Sequence, residues 1–317
     1  MKHKTILTYG FLVVGLGLAV YLLWQIFSEY TWSDIVASVA EIPTGNLVAA
    51  MAFSAASYIC LTGFDWTGVR YVGNDLAYPR IALASFISLS IGQSVGLAGL
   101  SSGGLRYRYY AHWGMNTEDV AKIVLLSGVT VTIGLAVLTG IIMVINPADA
   151  AEVLRLSEPA VLGIGGLCLL LVAGYLALAW FARAPVRIRK WTFQMPTLRL
   201  ALAQVLIGTA NFALVAAALR EVMGGADVSY LKAATAYVLA NVAVIVTHAP
   251  GGLGVLEATV RHVIGDQASI GSLVAFRVIY FFVPLAIGVP LALVTEAVFR
   301  ARKTSSSPSA AEAGGTK

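Results

Sequence analysis

His248-Ala-Pro-Gly-Gly-Leu-Gly254 interrupts an apolar stretch that runs from about residue 231 to residue 266. Proline ends a helix and glycine adopts turn conformations, so this segment predicts two helical arms joined by a sharp turn. A second break, Gly99-Leu-Ser-Ser-Gly-Gly-Leu-Arg106, interrupts the apolar stretch from 81 to about 110 and predicts another helical hairpin. Both breaks contain Gly-Gly-Leu, at 103–105 and 251–253.

The composition indicates a membrane protein. Of the 317 residues, 58% are hydrophobic and only 12% are charged, about half the charged share of a soluble domain. A helix needs about 20 apolar residues to cross the hydrocarbon layer. Such stretches lie near 6–27, 46–67, 81–100, 120–145, 161–181, 200–219, 231–247 and 270–299. The net charge of +5 does not indicate nucleic-acid binding, because the basic residues lie beside these stretches.

The distribution of basic residues then sets the topology. If all eight stretches crossed the membrane, the basic cluster at 183–190 would lie outside, against the positive-inside rule. If instead 81–110 and 231–266 are re-entrant hairpins from opposite sides, this cluster and the basic residues at 300–303 both lie inside. We therefore expect an all-α polytopic fold with both termini cytoplasmic. The order is two spans, a re-entrant hairpin and a span, repeated with inverted orientation.

This organisation predicts one transmembrane domain over residues 1–303, with repeat 1 at about 5–146 and repeat 2 at about 160–300. The polar tail, 304–317, has too little apolar content to fold and is expected to be disordered. Between the first two spans, Trp32–Val39 has apolar residues at helical spacing and is expected to lie along the outer interface.

Candidate binding residues cluster around the two breaks. Irregular backbone at membrane depth is tolerated where protein or a hydrated cavity covers it, so facing hairpin tips predict a cavity near the midplane. Ionisable residues at that depth are costly and mark functional sites. The predicted substrate-binding residues are Arg106, Arg108, Gly251, Gly252, Gly254, Glu257, Arg277, Tyr280, Asn241 and Gln93. Asp65 and Glu296, near span ends, are expected to reach water.

Purely structural roles, without substrate contact, also explain these residues. The glycine runs could serve tight helix packing alone. Glu257 and Arg277 have opposite charges and could pair with each other without contacting substrate.

Motifs of soluble enzymes are absent from the sequence, including the nucleophile elbow, the P-loop and HExxH. His248 has no second ligand at metal-binding spacing. The sequence therefore predicts no metal, no cofactor and no enzyme activity.

Two segments resemble a known family. Ala249-Pro-Gly-Gly-Leu-Gly-Val-Leu-Glu257 with Arg277-Val-Ile-Tyr-Phe-Phe-Val-Pro284, and Gly103-Gly-Leu-Arg-Tyr-Arg108, are similar to the lysylphosphatidylglycerol synthase transmembrane region. That region is the flippase half of the bacterial multiple peptide resistance factor. The resemblance covers about residues 5–300 and implies movement of lipid between leaflets of a bacterial inner membrane. Glu257 and Arg277 match charged positions flanking the family's hydrophilic cavity. No stretch of these 317 residues resembles the soluble synthase domain of the full-length family, so the resemblance implies lipid movement and not lipid synthesis.

The leading hypothesis is a flippase-like translocator whose partner is a membrane phospholipid. An accessory subunit or intramembrane enzyme in a lipid-linked glycan or lipid-modification pathway is the alternative, and an ion or small-solute transporter is a third. A homo-oligomer or a separate lipid-modifying enzyme as partner stays open.

Overall fold

The computed structural model describes residues 32–95, 98–181, 186–188, 191–224, 228–247, 249 and 252–305. Within these ranges the regular structure is helical, apart from a short antiparallel hairpin of strands β1 (Val186–Ile188) and β2 (Trp191–Phe193). The sequence analysis did not predict this hairpin. The predicted first span, most of the predicted disordered tail, and Gly251 lie outside the described residues.

The helices follow one another in this order: α1 (Trp32–Ala40), α2 (Thr44–Tyr71), α3 (Tyr78–Val95), α4 (Ala98–His112), α5 (Thr117–Ile145), α6 (Pro147–Leu154), α7 (Glu158–Phe181), α8 (Leu198–Val222), α9 (Tyr230–Thr247), α10 (Val255–Ile264), α11 (Ile270–Arg277) and α12 (Val283–Ser305). A turn of π-helix, Val278–Phe282, joins α11 to α12.

Six of the described segments are long and apolar enough to cross a membrane: α2, α5, α7, α8, α9 and the continuous stretch Ile270–Ala301. Their apolar side chains are widely exposed, for example 70% at Leu170 and 69% at Leu206, as expected for surfaces that face lipid. The chain is therefore a multi-pass membrane protein. The predicted spans at 46–67, 120–145, 161–181, 200–219 and 270–299 are confirmed as long apolar helices.

The two interrupted segments form two pairs of packed helices. In the second pair, α9 ends at Thr247 and α10 begins at Val255, so the break lies where the glycines predicted it. In the first pair, α3 packs against α4. The predicted position of that break is wrong, because α4 begins at Ala98 and the segment from Gly99 to Arg106 is helical.

Close packing explains why glycine occurs within the first pair. A Cβ atom on Gly92 of α3 would lie 2.8 Å from the Cβ of Ser102 on α4. Small residues on both helices let their backbones approach, as is common between helices in membranes. Within the glycine-rich segment itself, a Cβ on Gly103 would lie at ordinary contact distance, 3.7 Å, from a methyl group of Val124 on α5, so the tight approach is made by Gly92.

A second close contact joins the two halves of the chain, where α5 crosses α8. A Cβ on Gly134 would lie 2.3 Å from the carbonyl carbon of Gly208, and a Cβ on Gly208 would lie 2.7 Å from the carbonyl oxygen of Thr130. Backbone fills this interface on both sides, so no side chain can move aside. The main hydrophobic core lies next to it, between α2, α8, α9 and α11.

We predict that Gly134→Ala destabilises the protein by about 1–3 kcal/mol, because the added methyl group overpacks a backbone contact. The measurement is the free energy of unfolding in mixed micelles. Gly128→Ala on the same helix is the matched control, since a Cβ there meets nothing within 4 Å. Equal stability of the two variants would contradict this packing.

Candidate functional site

Arg277, the last residue of α11, closes the broken end of the second helix pair. Its Nε donates to Oε1 of Glu257 at 2.6 Å, and its Nη2 donates to Oε2 of the same carboxylate at 3.1 Å. Nη2 also donates to the carbonyl oxygen of Gly252 at 2.9 Å. The guanidinium carbon lies 4.9 Å from the centre of the Phe281 ring. The predicted opposite-charge pair is thus a two-point ion pair that also holds the backbone of the break.

The backbone at the break is one that glycine favours. Gly252 has φ +65° and Gly254 has φ +71°, both in the left-handed region. A Cβ on Gly252 would also lie 2.9 Å from a methyl group of Val244 on α9. The Gly252 carbonyl has left the helical hydrogen-bond pattern, and Arg277 supplies the donor that hydrocarbon cannot.

The π-turn beside Arg277 was not predicted. Pro284 has no N–H to donate to the carbonyl of Tyr280, four residues earlier, so the regular helix is interrupted there. That carbonyl instead accepts a hydrogen bond from the Tyr58 hydroxyl at 3.3 Å, and the Ile279 carbonyl accepts from Ser54 at 3.3 Å. Single π-turns are frequent at functional sites. Here the turn ties α2 to the segment that carries Arg277.

Two of the predicted substrate-binding residues, Tyr280 and Asn241, form hydrogen bonds within the protein. The Tyr280 hydroxyl lies 3.5 Å from the Ser57 hydroxyl, which donates to Oδ1 of Asn211 at 2.7 Å. Asn241 donates to the carbonyl of Tyr237 on its own helix, at 2.8 Å. Tyr280 is 4% exposed. These contacts are interhelical or local hydrogen bonds, and substrate contact for these residues stays a prediction.

Arg106 lies in a separate buried network. Its Nε donates to both carboxylate oxygens of Asp65, at 3.0 and 2.9 Å, and Nη2 donates to Oδ1 at 2.8 Å. Asp65 also accepts from Tyr110 at 2.8 Å and from Ser127 at 3.2 Å, while Nη1 of Arg106 donates to Ser102 at 2.9 Å. The Arg106 and Asp65 side chains are 4% and 0% exposed. This network ties α4 to α2 and α5.

Two further predicted residues, Arg108 and Gln93, belong to the first helix pair. Arg108 forms an ion pair with Glu296 of α12, and Gln93 is half-buried near the end of α3. The expectation that Asp65 and Glu296 reach water is wrong. Asp65 is 0% exposed and Glu296 is 8% exposed, because each is covered by the arginine that it binds.

The structure therefore gives each predicted arginine its own carboxylate. Sequence reasoning missed Asp65 as a partner, although an acidic residue inside an apolar helix is itself a signal. The geometry does not favour Arg106 as a substrate-binding residue, since its charge is already paired with Asp65 and both side chains are buried. Arg277 is the better candidate, because the Glu257 side chain that it binds is 27% exposed.

Two cavities of about 340 Å³ each lie at opposite ends of α5. One is lined by Asp149, Arg155, Lys232 and His262, and the other by Arg70, Lys122 and the segment 194–197. Neither of these two cavities is lined by Arg106, Glu257 or Arg277. The predicted midplane cavity stays a prediction. Among the described residues, no three His, Cys, Asp or Glu side chains form a group that could hold a metal ion.

Comparisons with known proteins agree with this architecture. The family model described as lysylphosphatidylglycerol synthase TM region matches residues 12–288. The chain is 31% identical over 280 residues to the "Uncharacterized protein slr0712" of Synechocystis sp. (strain ATCC 27184 / PCC 6803 / Kazusa), covering 86% of this chain and 87% of that protein. It is 28% identical over 304 residues to the "Inner membrane protein YbhN" of Escherichia coli (strain K12), covering 92% of each.

We predict that Asp65→Asn lowers the free energy of unfolding by about 3–5 kcal/mol, because it leaves the Arg106 charge buried without its counter-charge. Denaturant titration in mixed micelles measures this change. The double variant Asp65→Asn/Arg106→Gln is expected to recover part of the loss, since it removes the uncompensated charge.

The matched control is Asp75→Asn. Asp75 pairs with Arg70 at 2.7 Å, but these side chains are 94% and 45% exposed, so little stability is expected to depend on them. An Asp65→Asn protein as stable as the Asp75→Asn protein would show that the buried network is not what holds α4.

Proposed function

The chain belongs to the lysylphosphatidylglycerol synthase transmembrane-region family, and on this premise we propose that it moves a phospholipid headgroup between the two leaflets of a membrane. The lipid is moved without any change in its covalent bonds, so the chain has no catalytic role in this process. One observation supports the proposal most directly. The buried Arg277 guanidinium is paired with the partly exposed Glu257 carboxylate at a break in an apolar helix pair.

The Arg277 environment suits an exchange of anions. A lipid phosphate carries the same sign of charge as the Glu257 carboxylate and offers oxygens that a guanidinium binds with two hydrogen bonds. Replacing one anion by the other leaves Arg277 paired throughout, so the arginine charge is never exposed alone to hydrocarbon. The partial exposure of Glu257 gives an incoming phosphate one side from which to compete.

Glu257 then has a second role in this proposal. Once displaced from Arg277, its carboxylate can accept hydrogen bonds from a cationic group on the same headgroup. The backbone N–H groups at the beginning of α10 point toward the break, where a helix N-terminus favours a negative group. These donors would lower the cost of moving a phosphate through the membrane.

Each helix pair packs against a span from the other half of the chain, and this arrangement supports alternating access. The first pair contacts α12 through α3, and the second pair contacts α5 through α9. Each pair thus packs against the last span of the opposite half, as expected for inverted repeats. We propose that both pairs are re-entrant, that the termini are cytoplasmic, and that the two halves rock against each other around the Arg277 site.

The proposed location is a bacterial inner membrane. The described helices make the chain a multi-pass membrane protein, and its relative YbhN is named as an inner membrane protein. The proposed partner is a phospholipid, alone or together with a second copy of the chain or a lipid-modifying enzyme.

Arg277→Gln and Glu257→Gln are each expected to lower transbilayer movement of labelled phospholipid at least about tenfold, because each removes one charge from the exchange. The measurement is the rate at which headgroup-labelled lipid in proteoliposomes becomes accessible to a membrane-impermeant quencher. Arg277→Lys is also expected to be slow, since the single ammonium nitrogen lacks the planar fork that binds two oxygens of a carboxylate or phosphate side by side.

Arg261→Gln, an exposed change on α10, is the matched control and is expected to transport at the natural rate. Thermal unfolding of every variant separates loss of transport from loss of folding. A folded Arg277→Gln protein that moves lipid at the natural rate would overturn the proposed function.

A further inference from the structure

The π-turn Val278–Phe282 follows Arg277 directly, so its register decides the direction in which Arg277 points. The N–H of Val283 donates to the carbonyl of Val278, five residues earlier, where a regular α-helix would use Ile279, four residues earlier. The turn therefore holds one residue more than a regular helical turn. One residue of an α-helix corresponds to about 100° of rotation and about 1.5 Å of rise. A continuous α-helix would thus aim Arg277 in a different direction.

Two carbonyl groups of this turn depend on donors from another helix. Because Pro284 has no N–H, it can donate neither to Ile279 in the π pattern nor to Tyr280 in the α pattern. On α2, the Ser54 hydroxyl donates to the Ile279 carbonyl and the Tyr58 hydroxyl donates to the Tyr280 carbonyl, both at 3.3 Å. Both side chains are buried, and the turn lies within a candidate membrane span. The surrounding hydrocarbon offers no replacement donor.

The two hydroxyls differ in the state that they stabilise. If the turn became a regular α-helix, the Val283 N–H would donate to the Ile279 carbonyl, and the hydrogen bond from Ser54 would no longer be required. The Tyr280 carbonyl lacks a backbone donor in the regular helix too, so Tyr58 serves both states. Ser54 therefore favours the π-turn over the regular helix, whereas Tyr58 holds the turn to α2.

The contacts of Arg277 are directional and depend on this register. Its Nε lies 2.6 Å from Oε1 of Glu257, and its Nη2 lies 2.9 Å from the carbonyl oxygen of Gly252. Such hydrogen bonds weaken steeply when the donor turns away from the acceptor. Phe281, whose ring centre lies 4.9 Å from the guanidinium carbon, belongs to the π-turn itself. A change of register would alter all three contacts.

We propose that Ser54 is a positioning residue for Arg277. By donating to the Ile279 carbonyl it maintains the π-turn, and the π-turn aims Arg277 at Glu257 and at the break. Ser54 acts through the backbone and does not contact the transported lipid. The inference rests on the proposed function only in that Arg277 is the residue that binds the headgroup.

The test follows the Nε–H resonance of Arg277 by NMR of the full-length protein in mixed micelles. The resonance is assigned by its disappearance in Arg277→Lys. Ser54→Ala is expected to raise the population of a second Arg277 environment about fivefold, the factor that corresponds to the loss of one neutral hydrogen bond. Ser54→Thr, which keeps the hydroxyl, is expected to retain the natural spectrum. Ser54→Val has nearly the same size as Ser54→Thr but no hydroxyl, and is expected to behave as Ser54→Ala does.

Ser85→Ala is the matched control. The buried Ser85 hydroxyl of α3 donates to the Leu61 carbonyl of α2 at 3.2 Å, so this variant also removes a hydroxyl–carbonyl hydrogen bond between helices, but one that does not involve the π-turn. It is expected to leave the Arg277 resonance unchanged. An Arg277 resonance that stays the same in Ser54→Ala and Ser54→Val, or that changes equally in Ser85→Ala, would overturn the positioning role. No lipid transport enters this measurement, so a failure of the proposed function, shown by Arg277→Gln, is distinguishable from a failure of this inference.

Discussion

The hydrogen bond from Arg277 to the carbonyl of Gly252 is the contact on which the second half of the molecule depends. Where α9 and α10 are interrupted, the backbone loses helical hydrogen bonds, and hydrocarbon offers no replacement donor. A guanidinium donates to that carbonyl and to both oxygens of Glu257 from one rigid, planar fork, whereas a lysine presents its three donors from a single nitrogen. The same three contacts therefore stabilise the break and hold Arg277 against a carboxylate that is partly exposed.

In the first half of the chain, a buried arginine is again paired with a carboxylate, but with more hydrogen-bond donors around that carboxylate. Asp65 receives donors from Arg106, Tyr110 and Ser127, so its carboxylate is satisfied on all sides and fully buried. Such a network is costly to disturb and suits a rigid joint between α2, α4 and α5. The Glu257 carboxylate has fewer partners and is partly exposed. Similar chemistry in the two halves thus has different consequences, a fixed joint in one and an accessible pair in the other.

Sequence patterns predicted the features that depend on local chemistry. Apolar length was sufficient to place α2, α5, α7 and α8, and the proline with its glycines placed the break before α10. The first break was misplaced because glycine occurs both in turns and within closely packed helices, and the segment from Gly99 to Arg106 is helical in the structure. The pairing of Asp65 with Arg106 and the contacts of the π-turn join residues far apart in the chain, so they depend on tertiary structure.

The central claim is that the break before α10 lies in a hydrated pocket within the membrane, and thiol labelling tests it most directly. Cysteine replaces Leu253 in a protein whose own Cys60 and Cys168 are alanine, and a membrane-impermeant maleimide is added to the reconstituted protein. A cysteine at Leu206, which is 69% exposed on the lipid-facing side of α8, gives the unreactive reference. Rapid labelling at 253 with none at 206 is the predicted result. A cysteine at 253 as unreactive as the one at 206 would contradict the claim.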